Sequence, residues 1–135
     1  MPHLLVMCKI VDALRNPATS TALESEANKY AALHKLQGVV IPRFYGYYQV
    51  WGILRILALE PVGESLQERS ITLGLRQKMK IALHHIHNAG YVHGDISPGN
   101  FCERDGKVFI IDLERCRRST DKSEMKVEED LVDSL

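Results

Sequence analysis

Three polar residues at fixed separations, Asp95, Asn100 and Asp112, constrain this chain more than any bulk property does. Asp95 and Asn100 enclose the short polar loop Ile96-Ser97-Pro98-Gly99. Two short apolar runs follow, Phe101-Cys102 and Val108 to Ile111, split by Asp105-Gly106. Asp-Gly between apolar runs marks a hairpin turn, because both central positions must take positive φ. Such a hairpin brings Asp112 back toward the loop, 17 positions after Asp95 (112 − 95). Upstream, Ile71 to Ala89 carries Ile71, Leu75, Met79, Ala82, Leu83 and Ile86 on one helical face and stops at Gly90, giving the loop a rigid base.

The rest of the chain reads as alternating short elements. Leu4 to Val11 is an apolar run that predicts a strand ending at Asp12. Asn16 to Ser20 is turn-like around Pro17, with Thr19 or Ser20 placed to cap a helix. Helical spacing then runs from Leu23 to Leu36, with Gly38 as its stop. Phe44 to Val50 and Ile53 to Leu59 predict two strands joined at Trp51-Gly52, and Pro61-Val62-Gly63 predicts a linker. From Arg115 onward the chain is mostly charged and is expected to be loosely held, with a helical turn at Glu128 to Leu135.

Composition narrows the setting. At 45% hydrophobic and 25% charged residues the chain can build a globular core. A formal net charge of zero argues against a broad basic face for nucleic acid. Cys8, Cys102 and Cys116 form neither a zinc pattern nor a disulfide framework, which points to a reducing compartment. The first apolar run is broken by Lys9 and Asp12 and lacks a small-residue cleavage site, and no apolar stretch approaches the roughly 20 residues of a membrane span. The expectation is an intracellular protein of the cytoplasm or nucleus, with no membrane and no nucleic-acid partner.

The three polar residues suit phosphoryl transfer from ATP, in which a protein holds a hydroxyl in line, accepts its proton and clamps phosphates through Mg2+. Asp95 is placed to take the proton, while Asn100 and Asp112 offer the hard oxygen ligands that Mg2+ prefers. Asp, Ser, Pro, Gly and Asn are also ordinary turn residues, and Asp112 could simply end a strand. The register of loop, hairpin and second aspartate favours the chemical reading. His84, His85 and His87 crowd one helical turn and point in different directions, so they read as structural rather than metal-binding, with His93 bracing the loop. Arg115, Arg117 and Arg118 read first as a solvated face, with an anionic partner as the rival.

The segment Ile86 to Asp95 resembles the end of the long C-lobe helix and the catalytic loop of the protein-kinase superfamily, and Asp112-Leu113-Glu114 stands where those enzymes carry the metal-binding Asp-Phe-Gly. The His-Gly-Asp loop and Ile-Asp-Leu-Glu ending are closer to compact atypical kinases, aminoglycoside or choline phosphotransferases, and kinase-like proteins frequent in fungi. The resemblance implies Asp95 as catalytic base and Asn100 and Asp112 as metal ligands. Val6-Met7-Cys8-Lys9 resembles the strand whose lysine binds the α- and β-phosphates. Glu26, 17 residues on (26 − 9), resembles the glutamate paired with that lysine, and Glu24 competes for the role. Leu59 to Gly63 resembles the hinge, implying adenine contacts from the backbone near Glu60 and Val62.

Departures from the pattern carry their own expectations. No glycine-rich loop stands among the eight residues before Lys9, and only 23 residues follow Asp112 (135 − 112), so the resemblance is to a truncated domain. Gly94 replaces the arginine that answers a phosphorylated activation loop, Ser97 replaces a lysine near the transferring phosphate, and Glu114 replaces the glycine after the metal aspartate. The expected fold is α+β, a reduced two-lobed kinase-like domain over 1–114. Within it, residues 1–60 form a partial N-lobe, 60–63 the hinge and 64–114 a partial C-lobe, followed by a charged tail at 115–135. The expected activity is ATP- and Mg2+-dependent transfer to a hydroxyl, most simply a Ser/Thr of a protein. A small-molecule acceptor and a catalytically dead binding module are the alternatives. An exposed N-lobe sheet edge is the expected seat of a partner chain.

Overall fold

Pro17 decides where the first helix begins: with φ already fixed and no N–H to satisfy, it occupies the first helical turn behind Asn16. In the computed structural model, which describes residues 5–135, the elements run β1 (Met7–Asp12), α1 (Pro17–Ala32), β2 (Phe44–Val50), β3 (Leu54–Leu59), β4 (Glu64–Ser65), α2 (Leu73–Asn88), β5 (Tyr91–Val92), β6 (Phe101–Arg104), β7 (Lys107–Ile110), β8 (Arg117–Arg118) and α3 (Lys122–Asp133). Leu4, where the first strand was expected to begin, lies outside the described residues. The expected cap at Thr19 or Ser20 is corrected: the proline starts the helix earlier, and Asn16 holds the N-cap position without a side-chain capping bond. The helix also stops at Ala32, and His34–Leu36 continues as a 3-10 turn before Gly38 at φ +75.

β1, β3 and β2 form an antiparallel sheet in that order, so β1 is an edge. Trp51 and Gly52 both hold positive φ at the turn between β2 and β3, as a tight hairpin requires. α1 covers one face of this sheet, with Tyr30 stacked on Phe44 at 6.3 Å between ring centroids. The remainder of the molecule centres on α2. Thr72 caps that helix by accepting the Leu75 N–H through Oγ1, and this moves the start past the expected Ile71. β4, β6 and β7 form a second small sheet, with Asp105 and Gly106 at positive φ in its hairpin.

One cluster of buried side chains joins the two halves. It includes Leu23, Tyr30 and Leu57 from the first and Met79, Leu83, Ile86, Phe101 and Ile110 from the second. The mixed helices and antiparallel sheets make an α+β fold compatible with a reduced kinase-like domain. Among the described residues no helix is long and apolar enough to cross a membrane.

The loosely held tail is a correction of substance. Residues 117–118 pair with β5, and α3 packs on α2 with Met125 and Val132 buried. Asp121 caps α3 by accepting the Ser123 N–H, and Lys80–Asp133 and His84–Glu129 contacts tie its exposed side to α2. The charges that suggested solvation line one side of an amphipathic helix whose other side is core.

Candidate active site

Glu26 organises the first half of the site. α1 buries it to 1% exposure, and its carboxylate accepts two hydrogen bonds from Lys9 Nζ, at 2.8 and 3.0 Å. The same carboxylate accepts the Leu113 N–H at 3.2 Å, so it holds the backbone just after Asp112. Lys9 Nζ lies 3.8 Å from Asp112 Oδ1. Lys9, Glu26 and Asp112 are thus one charged chain from β1 through α1 to the end of the β7 segment. Glu24, the competing choice, is exposed and takes no part in this chain. Asp112 holds φ +59, a left-handed geometry that aspartate tolerates better than most residues.

Ile111 organises the second half. Its N–H donates to the Asn100 carbonyl at 2.9 Å, and its own carbonyl accepts from His93 Nε2, also at 2.9 Å. His93 Nδ1 accepts the Asp95 N–H at 3.2 Å, so the buried ring is the neutral Nε2–H tautomer and bridges loop to hairpin. Asn100 donates its amide to the Asp95 carbonyl at 2.8 Å. That bond leaves Oδ1 of Asn100 free as an acceptor, and the Asp95 side chain is half-buried. Asn100 is one hydrogen bond from Ile111, Asp112 is its chain neighbour, and Asp95 reaches it through His93.

The donor set fits a hard divalent cation. Asn100 Oδ1 and the Asp112 carboxylate are both oxygen ligands, and Asp112 keeps 35% of its side chain exposed. No group of three or more His, Cys, Asp or Glu suited to a metal exists among the described residues, so further ligands would have to come from water or phosphate. Between β3 and β4, where the hinge was expected, the Glu60 N–H is taken by the Arg43 carbonyl at 2.9 Å, and the Glu60 side chain accepts from Arg43 and Arg104. Among the described residues neither the Glu60 carbonyl nor the Val62 N–H has a hydrogen-bonding partner. Val62 is buried, whereas Glu60 is half-buried.

Glu128 is the residue the sequence did not disclose. From α3 it accepts the His93 N–H at 3.0 Å and the His87 Nε2–H at 2.8 Å on Oε1, and the Gly94 N–H at 2.8 Å on Oε2. Burial alone pushes its carboxyl up, but the His87 bond and the two backbone donors outweigh it and hold the group below the usual carboxylate range. Gly94 itself has φ +88, and a Cβ there would clash with the Arg115 carbonyl. The arginine of regulated kinases has no room at this position. The Asp121 cap and the Met125, Glu128, Val132 spacing could have revealed α3, though not the role of Glu128.

The cysteines lie outside the chemistry. Burial raises the Cys102 thiol and pushes Cys116 up to about 11, while Cys8 is exposed. One of the three thiols is therefore expected to react rapidly with an aromatic disulfide reagent in the native protein, and Cys8→Ser should abolish that fast phase.

Comparison with known proteins supports a kinase-like phosphotransferase at the superfamily level. Within it, the chain belongs to the lipopolysaccharide core biosynthesis protein (WaaY) family, which matches residues 43–132, more than half of its length. It is also 34% identical over 65 residues to the KEOPS complex subunit Bud32 of Pyrococcus abyssi. That match covers 43% of this chain and 30% of Bud32, so the chain spans well under half of its curated relative.

Proposed function

We propose that this chain transfers the γ-phosphoryl group of ATP to a hydroxyl, most simply a Ser or Thr side chain of a protein. The observation that carries the reading is the charged chain Lys9–Glu26–Asp112 meeting the Asp95–Asn100 loop through Ile111. Lys9, held by Glu26, donates to the α- and β-phosphates. The Glu60 carbonyl and Val62 N–H bind adenine. Asn100 and Asp112 would hold Mg2+, which supplies charge neutralisation at the phosphates. Asp95 takes the acceptor's proton while the hydroxyl oxygen bonds to the γ-phosphorus. The bond from phosphorus to the bridging oxygen breaks, and ADP leaves with its electron pair.

A second reading has support from the family description. The description of a lipopolysaccharide core biosynthesis protein is what supports a saccharide hydroxyl as the alternative acceptor. Incubation with γ-labelled ATP, Mg2+ and separate protein and saccharide acceptors distinguishes the two by where label accumulates. Label in neither acceptor, from a folded chain, counts against transfer and for a binding module.

The proposed partner chain would sit on the β1 edge of the sheet, where Ile10 is exposed. Concentration-dependent association in gel filtration is the expected result, and a clean monomer at high concentration is the contrary one.

A further inference from the structure

Two neighbouring concavities along α2, together termed the trough, lie outside the site described above. They measure about 340 and 530 Å3 and share His85 as a common wall. One is closed by the β6–β7 turn, the other by the segment after α1 and by β8. From Lys78 to Asn88 the helix advances about 15 Å, room for roughly four or five residues of extended chain.

Charge is concentrated here although the chain is neutral overall. Lys78 and Lys107 stand at one end and Lys35 and Arg118 at the other, with Asp105 as the only carboxylate lining either concavity among the described residues. None of these four cations forms an ion pair with another described residue, whereas Arg69, Lys80 and Arg117 each do. Lys78 and Lys107 each give one hydrogen to a loop carbonyl, of Gly106 at 2.7 Å and Gly38 at 2.8 Å, and keep their other N–H groups. Compensation of helix dipoles accounts for basic residues at the C-terminal ends of helices. It does not account for Lys78, in the second turn of α2, or for Lys107 on a strand. Between the charged ends, Val39 and Ile81 are 42% and 60% exposed.

We propose that this trough is a docking site for an acidic peptide segment of another protein, with acids at both ends and an aliphatic or aromatic side chain between Val39 and Ile81. Charge complementarity selects the ends of the segment and the apolar middle selects its centre. A nucleic acid would satisfy the cations but waste the apolar centre, and a chain with no net charge exerts little long-range pull on a polyanion. Binding in the trough does not depend on phosphoryl transfer.

The test is fluorescence anisotropy of the full chain with a labelled peptide of about ten residues, acidic at both ends with a central leucine. Saturable binding is expected, weakened about tenfold or more by Lys35→Glu with Arg118→Glu and about fivefold by Ile81→Ser. The Ile81→Ser effect should persist at high salt, and melting curves of each variant confirm folding. If the double charge variant fails to fold, Ile81→Ser on the exposed helix face carries the test alone. No saturable binding at millimolar peptide would overturn the proposal. So would equal binding of a peptide with serine for leucine, or an oligonucleotide that binds as tightly and loses nothing on Ile81→Ser.

Discussion

Glu128→Ala is expected to lower the unfolding free energy by about 3–5 kcal/mol, the cost typical of removing one partner from a buried charged network. The change leaves the His93 and Gly94 N–H groups and the His87 ring without their acceptor, all at the root of the Asp95–Asn100 loop. Glu128→Gln keeps an acceptor oxygen but turns an amide toward an N–H donor, so its cost should be smaller, about 1–2 kcal/mol. Urea unfolding measures both. The pH dependence has a definite sign. The folded carboxyl lies below its ordinary value of 4.5, so its stabilisation is full above that value and is lost as pH falls through the folded value. Wild type and Glu128→Gln should therefore converge in stability in acid. A Glu128→Ala variant that melts like wild type would show that α3 does not brace the loop.

Asp95→Asn is expected to reduce transfer about a thousandfold while leaving the fold intact, because a general base contributes roughly 10²–10⁴ and an amide cannot take the proton. Structure gives reason to expect a folded variant: the bonds at this position run through the Asp95 backbone N–H and carbonyl, to His93 and Asn100. The readout is kcat with γ-labelled ATP beside a melting curve. Substrate and nucleotide binding should change little, since the loss falls on the chemical step. Unchanged kcat in the variant would remove Asp95 from its proposed role.

What the sequence disclosed was local. Asp105-Gly106 fixes its hairpin through the φ values of two adjacent residues, and that hairpin sets where Asp112 returns. Thus the relation of Asp95, Asn100 and Asp112 could be read within a stretch of 18 residues counted inclusively (112 − 95 + 1). The choice between Glu24 and Glu26 needed the orientation of α1, since only one of them faces the sheet once Pro17 has set where the helix starts. Glu128 was hidden for a different reason. Its partners lie 34 to 41 positions away, and a glutamate among acids looks solvated until α3 is docked on α2. Composition describes a segment by its average, whereas burial acts on one face of it.

Nucleotide binding at the proposed site is measured by a thermal shift with Mg-ATP beside an Asp112→Ala control. A ligand that binds only the folded chain must raise its melting temperature. A rise that requires Mg2+ and disappears in the control is expected, because Asp112 joins Lys9 and the Asn100 loop at one place. No rise at millimolar Mg-ATP in a folded chain, or an equal rise in Asp112→Ala, would rule out nucleotide binding through Asp112.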